Sequence, residues 1–253
     1  MSNSLDLSKS KAFIPLLKSM ACIQCAVSDL SANNSAYAVE VMIRKASDLQ
    51  GKFGNGGSGQ VSRWMSGAHV ADDRSIKRLI DLFPEVKSIH ESPFWKILEG
   101  WFPNDSIKQY LIDNLTPSSF WVCYSSFPAN PNSRLMTVPR YVNKKTLQRL
   151  VIQGTMDSIM ALYAATRELQ ELGKHDLAIK VASYIPVAIA LLKRRKPFAY
   201  IAEIILCRCR QLLIDNMTSE NHKLYLNDYN LVEISNAAPI NYPILPNPIN
   251  PHF

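Results

Sequence analysis

The chain is short of charge and of glycine outside one stretch, and it lacks compact catalytic motifs. Charged residues make up 19 % of the 253, against about 25 % in an average soluble protein. Fewer charges are left to cover the surface, which points to an interface with a partner or with another copy of the chain. No H-E-x-x-H is present, and no G-x-x-x-x-G-K followed by Ser or Thr, so zincin and P-loop chemistry have no local seat. The run GNGGSGQ fails G-x-S-x-G because Gln60 stands where the last glycine belongs. His69, His90, His175, His222 and His252 are scattered, and no paired carboxylates share a helix face at acid–base spacing. The expectation is a protein that is not an enzyme and carries no cofactor and no metal.

A secretory leader needs an apolar core, and the opening MSNSLDLSKSK is polar. Five cysteines, an odd number, argue for a reducing compartment. Both features predict a cytoplasmic protein. A membrane span needs roughly 18 apolar residues in a row. The best stretch, Leu177 to Leu192, contains Lys180, Ser183 and Pro186, so a core helix is expected and no membrane.

What is present is apolar and mildly basic. Hydrophobic residues reach 47 %, enough for a packed core. The net charge is +7, which favours phosphate-bearing partners. Residues 1–103 hold 12 basic and 10 acidic side chains, and residues 104–253 hold 16 and 11. The excess sits in the second half.

Periodicity predicts a mainly α protein. One helix spans 12–30, with Pro15 tolerated in its first turn. A second spans 36–49 with Tyr37, Val41, Ile43 and Leu49 at helical spacing. Five of the nine glycines then fall between Gly51 and Gly59, which makes a loop. A short helix over 58–65 follows, with Ser58 as N-cap and Gly67 as its stop. Asp72 or Asp73 caps the next, where Ile76, Leu79, Ile80 and Phe83 form one apolar stripe ended by Pro84. Ser92-Pro93 opens another, and Asn104 or Asp105 begins one that runs to about Leu115. Residues 120–143 are broken by Pro128, Pro131 and Pro139 and hold at most a short strand near Phe120 to Tyr124. Helices are then expected over 144–172, 175–193 and 197–215, the first stopped by Gly173. Five prolines in the last 15 residues give an extended tail. The expected organisation is an N-terminal helical domain (1–119), a Pro-broken connector (120–143), a C-terminal helical bundle (144–236) and a Pro-rich tail (237–253).

The stretch SGQVSRWMSGAHVADDRSIKRLIDL, residues 58–82, resembles the recognition helix and following helix of the phage-repressor (Cro-like) helix-turn-helix family. The match is carried by Ser58, Val61, Ser62, Arg63, Trp64, Gly67, Ile76, Leu79 and Ile80. The resemblance implies that Val61 and Trp64 pack inward while Ser58, Gln60, Ser62 and Arg63 face the major groove. Gln pairs with adenine, Arg with guanine or phosphate, and Ser with phosphate. Lys52, Arg74, Lys77 and Arg78 would add backbone contacts. GKFGNGGSG occupies the place of the family's preceding helix, so 36–49 would have to serve across a longer loop. The succession Trp64, Gly67, Pro84, Phe94-Trp95 also resembles uncharacterised bacterial helical proteins.

Other clusters have a structural reading beside a functional one. Cys22, Cys25, Cys207 and Cys209 could give four thiolates to zinc, yet both pairs lie in apolar helical runs, where cysteine is commonly core. Lys193, Arg194, Arg195 and Lys196 form a basic turn that suits either phosphate or a helix C-terminus. Arg140, Lys144, Lys145 and Arg149 make a second basic group. Nine aromatics between Phe94 and Phe127 either stack bases or fill a junction. The leading expectation is a non-catalytic protein that binds DNA, or RNA, as a helix-turn-helix regulator. The alternative is a protein-interaction or antitoxin-like accessory subunit of a larger bacterial assembly, binding a partner or itself through the C-terminal helices or tail.

Overall fold

A computed structural model describes residues 13–30, 35–46, 58–100, 114, 124–126, 137–139 and 144–215. The protein is mainly α-helical. The chain divides into two compact units that interleave in sequence. Of the described residues, those within 1–99 and 193–208 form the first, and those within 100–192 and 209–253 the second. The basic turn 193–196 therefore belongs with the N-terminal helices. The contiguous division at 120–143 had put it in the C-terminal bundle. Sequence proximity hides such a return, because the contacts that recruit the turn lie on a helix far upstream.

In the first unit the central element is α1 (Phe13–Asp29). It is apolar almost all round, with Phe13, Ile14, Leu17, Ala21, Cys22, Ile23, Cys25 and Ala26 buried, as a helix with neighbours on every side must be. Around it pack α2 (Ala36–Ala46), α3 (Gln60–Met65), α4 (Asp73–Leu82), α5 (Glu85–His90), α6 (Phe94–Glu99) and the 3-10 turn Lys196–Phe198. One buried cross-tie reinforces the packing: Ala71 N–H donates to Ser19 Oγ at 2.9 Å.

α4 begins where expected. Asp72 Oδ1 accepts the Ser75 N–H at 2.7 Å, and Ile76, Leu79 and Phe83 are buried, with Ile80 half-buried. α5 has no counterpart among the predicted helices. Pro84 ends α4 and sits at the N-cap of α5, and Val86 and Ile89 form its short buried stripe. α6 follows Ser92-Pro93 as predicted, with Ser92 Oγ accepting Phe94 N–H at 3.3 Å. Trp95 Nε1 donates to Ile89 O at 2.6 Å, and its ring meets Phe94 edge-on at 5.6 Å. Arg208 Nε donates to Leu98 O at 2.7 Å, a cation on the last carbonyls of α6.

In the second unit β1 (Tyr124–Ser126) pairs antiparallel with β2 (Thr137–Pro139), with Ser125 opposite Val138. The helix expected over 144–172 is two, α7 (Lys144–Gln153) and α8 (Met156–Glu171). Gly154 has φ 51°, and a Cβ there would lie 2.9 Å from Leu191 Cβ. Thr155 then opens α8 with a capping box: its Oγ1 accepts Ser158 N–H at 3.2 Å and Ser158 Oγ accepts Thr155 N–H at 3.0 Å. The helix expected over 175–193 is also divided, into α9 (His175–Ala182) and α10 (Tyr184–Lys193). Pro186 is the cause, because it lacks an N–H for Ala182 O and its ring crowds that carbonyl. By length and composition His175–Lys193 could cross a membrane, and 56 % of its most apolar window is buried inside the fold. The last helix, expected over 197–215, is α11 (Ala202–Asp215); it follows the 3-10 turn, with residues 202–208 in the first unit and 209–215 in the second.

Candidate nucleic-acid interface

α2 carries its buried stripe at Ala36, Val39, Glu40 and Ile43. The expected stripe was wrong by one position in part. Tyr37 is 56 % exposed and Val41 is half-buried, while Leu49 lies outside the described residues. A carboxylate thus occupies a core-facing position, and its partners explain why it is tolerated. Glu40 Oε1 accepts Arg44 Nη2 at 2.6 Å, Ser58 N–H at 2.6 Å and Ser58 Oγ–H at 2.5 Å. Burial alone would raise the Glu40 pKa. The Ser58 and Arg44 contacts outweigh it and hold the carboxyl below its ordinary value.

That anchor fixes where α3 starts. Ser58 is not the N-cap. Gly59 takes that place at φ 67°, and Ser58 Oγ accepts the Gln60 N–H at 3.2 Å. The Ser58 hydroxyl, donating to Glu40 and accepting from Gln60, serves the fold. Val61 is 1 % exposed and Trp64 4 %, so both point into the unit, where α3 packs on α1 and α2. Gln60, Ser62 and Arg63 are exposed. The Arg63 guanidinium folds back along the helix, its Nη1 lying 3.9 Å from the position a Gly59 Cβ would take.

The helix is closed tightly. Arg63 O accepts Ala68 N–H at 2.9 Å, His69 N–H at 3.3 Å and Ser66 Oγ–H at 3.1 Å. Gly67 has φ 76°, and a Cβ on it would lie 2.9 Å from Met20 Sδ. Glycine suits that left-handed backbone, and the atom a Cβ would displace is near the end of the flexible Met20 side chain. Gln60, Arg63, Trp64, His69, Val70 and Asp72 line an open depression of about 400 Å³ beside α3. Val70 is 48 % exposed on its rim. The Asp72 carboxyl is held below its ordinary range, first by the Ser75 N–H and then, against a smaller effect of burial, by the Ser75 side chain and Arg74.

On α4, Arg74 and Lys77 are exposed and Arg78 is half-buried. Asp72, Asp73 and Asp81 interleave with them, so 58–82 carries four cations against three carboxylates. The stronger basic group is the turn 193–196. Arg194 and Lys196 are exposed. Lys193 Nζ pairs with Glu203 Oε1 at 2.9 Å. Arg195 is half-buried, and burial pushes its pKa down from the ordinary value. Both α3 and the 3-10 turn are seated on α1, so the two groups share one unit and one central helix. Lys145 and Arg149 are exposed on α7 of the second unit. Lys52 and Arg140 lie outside the described residues, as do Trp101, Phe102, Tyr110, Phe120, Trp121 and Phe127 of the aromatic group.

The cysteines of α1 are built for packing. Burial pushes the thiols of Cys22 and Cys25 up to about 12, so both are neutral at physiological pH. Cys207 is exposed and Cys209 buried. Sequence reading missed Glu40 and the rim formed by His69, Val70 and Asp72. Glu40 was detectable as the residue completing Ala36, Val39 and Ile43, with Arg44 at i+4 to neutralise it. The chain matches no protein-family model, no curated protein and no solved structure.

Proposed function

We propose that the protein binds double-stranded DNA through the exposed face of α3, without catalysis, as a helix-turn-helix regulator. The observation that carries this reading is the division of one short helix. Val61 and Trp64 are sunk into the unit while Gln60, Ser62 and Arg63 stand exposed between and beside them. Gln60 offers the donor–acceptor pair that suits adenine, and Arg63 the fork that suits guanine. Ser62 suits phosphate. Arg74 and Lys77, exposed on α4, add backbone contacts, and Arg78 beside them is half-buried. Ser58 leaves the contact set of this reading and becomes the brace that holds α3 on α2 through Glu40. The turn Lys193, Arg194, Arg195 and Lys196 supplies sequence-independent attraction from the same unit.

The test is binding of the purified full chain to labelled duplex DNA across a salt series, with structured RNA in parallel. The same series is run on a Gln60→Ala/Arg63→Ala variant. Wild type binds the duplex at low salt, the affinity falls as salt rises, and the double variant binds more weakly. A wild type that binds no duplex at low salt overturns the reading. A double variant that binds as well as wild type removes α3 from the interface.

A further inference from the structure

Between α10 and α11 the chain makes a compact, cation-rich turn that carries one aromatic ring into solvent. Phe198 is 4 % exposed and Ile201 1 %, and the 3-10 turn that holds Phe198 is packed on α1. Backbone bonds from Phe198 N–H to Arg195 O at 2.9 Å and from Ile201 N–H to Phe198 O at 3.1 Å fix the successive bends. Ala199 N–H donates to Lys196 O at 3.3 Å. With Phe198 and Ile201 anchored, Tyr200 is left 70 % exposed, more than any other large apolar residue among those described. Its ring sits on a braced backbone and contributes little to the core.

The segment that carries that ring is rich in cations. Arg194 and Lys196 are exposed within six residues of Tyr200. Lys193 is paired with Glu203, the acidic residue of the same segment. Cations of this density select a polyanion. A bare phenol ring carried four to six residues further along the same chain segment selects one with accessible flat faces, which unpaired bases present and paired ones hide within the stack.

We infer that the turn 193–200 is a binding surface for single-stranded nucleic acid, on which Tyr200 stacks against a base while Arg194 and Lys196 hold phosphates of the strand. Arg194 and Lys196 also attract the duplex in the proposed function, whereas Tyr200 has no part there, so the Tyr200 variants test this surface separately from the α3 face.

The experiment titrates the full-length protein against a labelled oligothymidine single strand over a salt series. Wild type is compared with Tyr200→Ala, Tyr200→Phe and Arg194→Ala/Lys196→Ala, each first shown to melt at the wild-type temperature. Tyr200→Ala weakens binding about tenfold at every salt concentration, because stacking releases no counterions. Tyr200→Phe keeps the ring and binds as wild type. The double charge variant flattens the salt dependence. A wild type that binds no single strand at low salt overturns the proposal, and so does a Tyr200→Ala variant that binds as wild type. Gln60→Ala/Arg63→Ala leaves single-strand binding unchanged, so a failure on the duplex probe and a failure here are read independently.

Discussion

Glu40 Oε1 accepts both the N–H and the hydroxyl of Ser58, at 2.6 and 2.5 Å, across 18 residues of chain. The bonds tie the residue before the Gly59 N-cap to α2 and so hold the start of α3. Glu40→Ala would leave Arg44 and the Ser58 donors without that oxygen, at a cost of roughly 1–3 kcal/mol. Ser58→Ala keeps the N–H bond to Glu40, removes the hydroxyl's bonds to Glu40 and from the Gln60 N–H, and costs less. Urea unfolding of both single variants and the double gives the coupling between them, with a non-additive result expected. Strict additivity would show that the two side chains do not act together.

Ser19 is a buried hydroxyl on α1 whose oxygen accepts the Ala71 N–H. Ser19→Ala leaves that donor in a dry environment and is expected to cost about 1–3 kcal/mol. The loss appears as a lower urea midpoint with an unchanged slope. The hydrogen-exchange protection of the Ala71 amide should fall with it, and unchanged protection would refute the cross-tie.

Two glycines with positive φ should respond differently to alanine. At Gly67 the obstacle is Met20 Sδ, near the free end of a flexible side chain. Gly67→Ala should cost little beyond the left-handed backbone term of about 1–2 kcal/mol. At Gly154 the obstacles are Leu191 Cβ and the Leu191 carbonyl carbon, neither of which can swing away. Gly154→Ala adds an overpacking cost of about 1–3 kcal/mol to the same backbone term. Thermal melts of the two variants should rank in that order, and the reverse order would contradict the packing described at α7–α8.

His90 gives a pH signature. Burial first, and then the charge of Lys18, lower its pKa below the ordinary 6.5, against the opposing Glu91 and Asp73. The unfolded chain therefore takes up the proton before the folded one does. His90 contributes stability above about pH 6.5, which is lost as pH falls toward the folded value. Glu40 and Asp72 are shifted downward too, but their contributions fade only in the carboxylate range, so the windows are separate. A His90→Gln variant should show a flatter melting temperature between neutral pH and about pH 5.5. A slope equal to that of wild type would remove His90 from the account.

Where the fold was legible, the signal was local. On the single short helix α3 the resemblance of residues 58–82 implies Val61 and Trp64 inward and Gln60, Ser62 and Arg63 outward, and their burial and exposure follow that division. The stripe Ile76, Leu79, Ile80 and Phe83 and the Asp72 cap were readable for the same reason. α5 escaped because two apolar residues three apart are too few for a periodicity. The break at Gly154 escaped because Leu147, Val151, Ile159 and Leu162 keep a nearly helical phase across it. Tyr37 reads as core because an aromatic outweighs a carboxylate in a hydrophobic pattern, yet it is exposed. The inward phase of Glu40 and its Arg44 partner are local, but its second partner, Ser58, is 18 residues away and no window around α2 contains it. The recruitment of 193–208 into the first unit lay further still beyond local reading.

The interleaving of the two units bears on how the chain matures during synthesis. The part of α1 that the 3-10 turn covers is made early, and its cover is made more than 160 residues later. At a translation rate of about 5–20 residues per second, the nascent helix waits on the order of 10–30 seconds with apolar surface unprotected. During that interval a holdase chaperone is the natural occupant of the bare face, and a ribosome stalled before residue 193 would release a product that cannot complete its first unit.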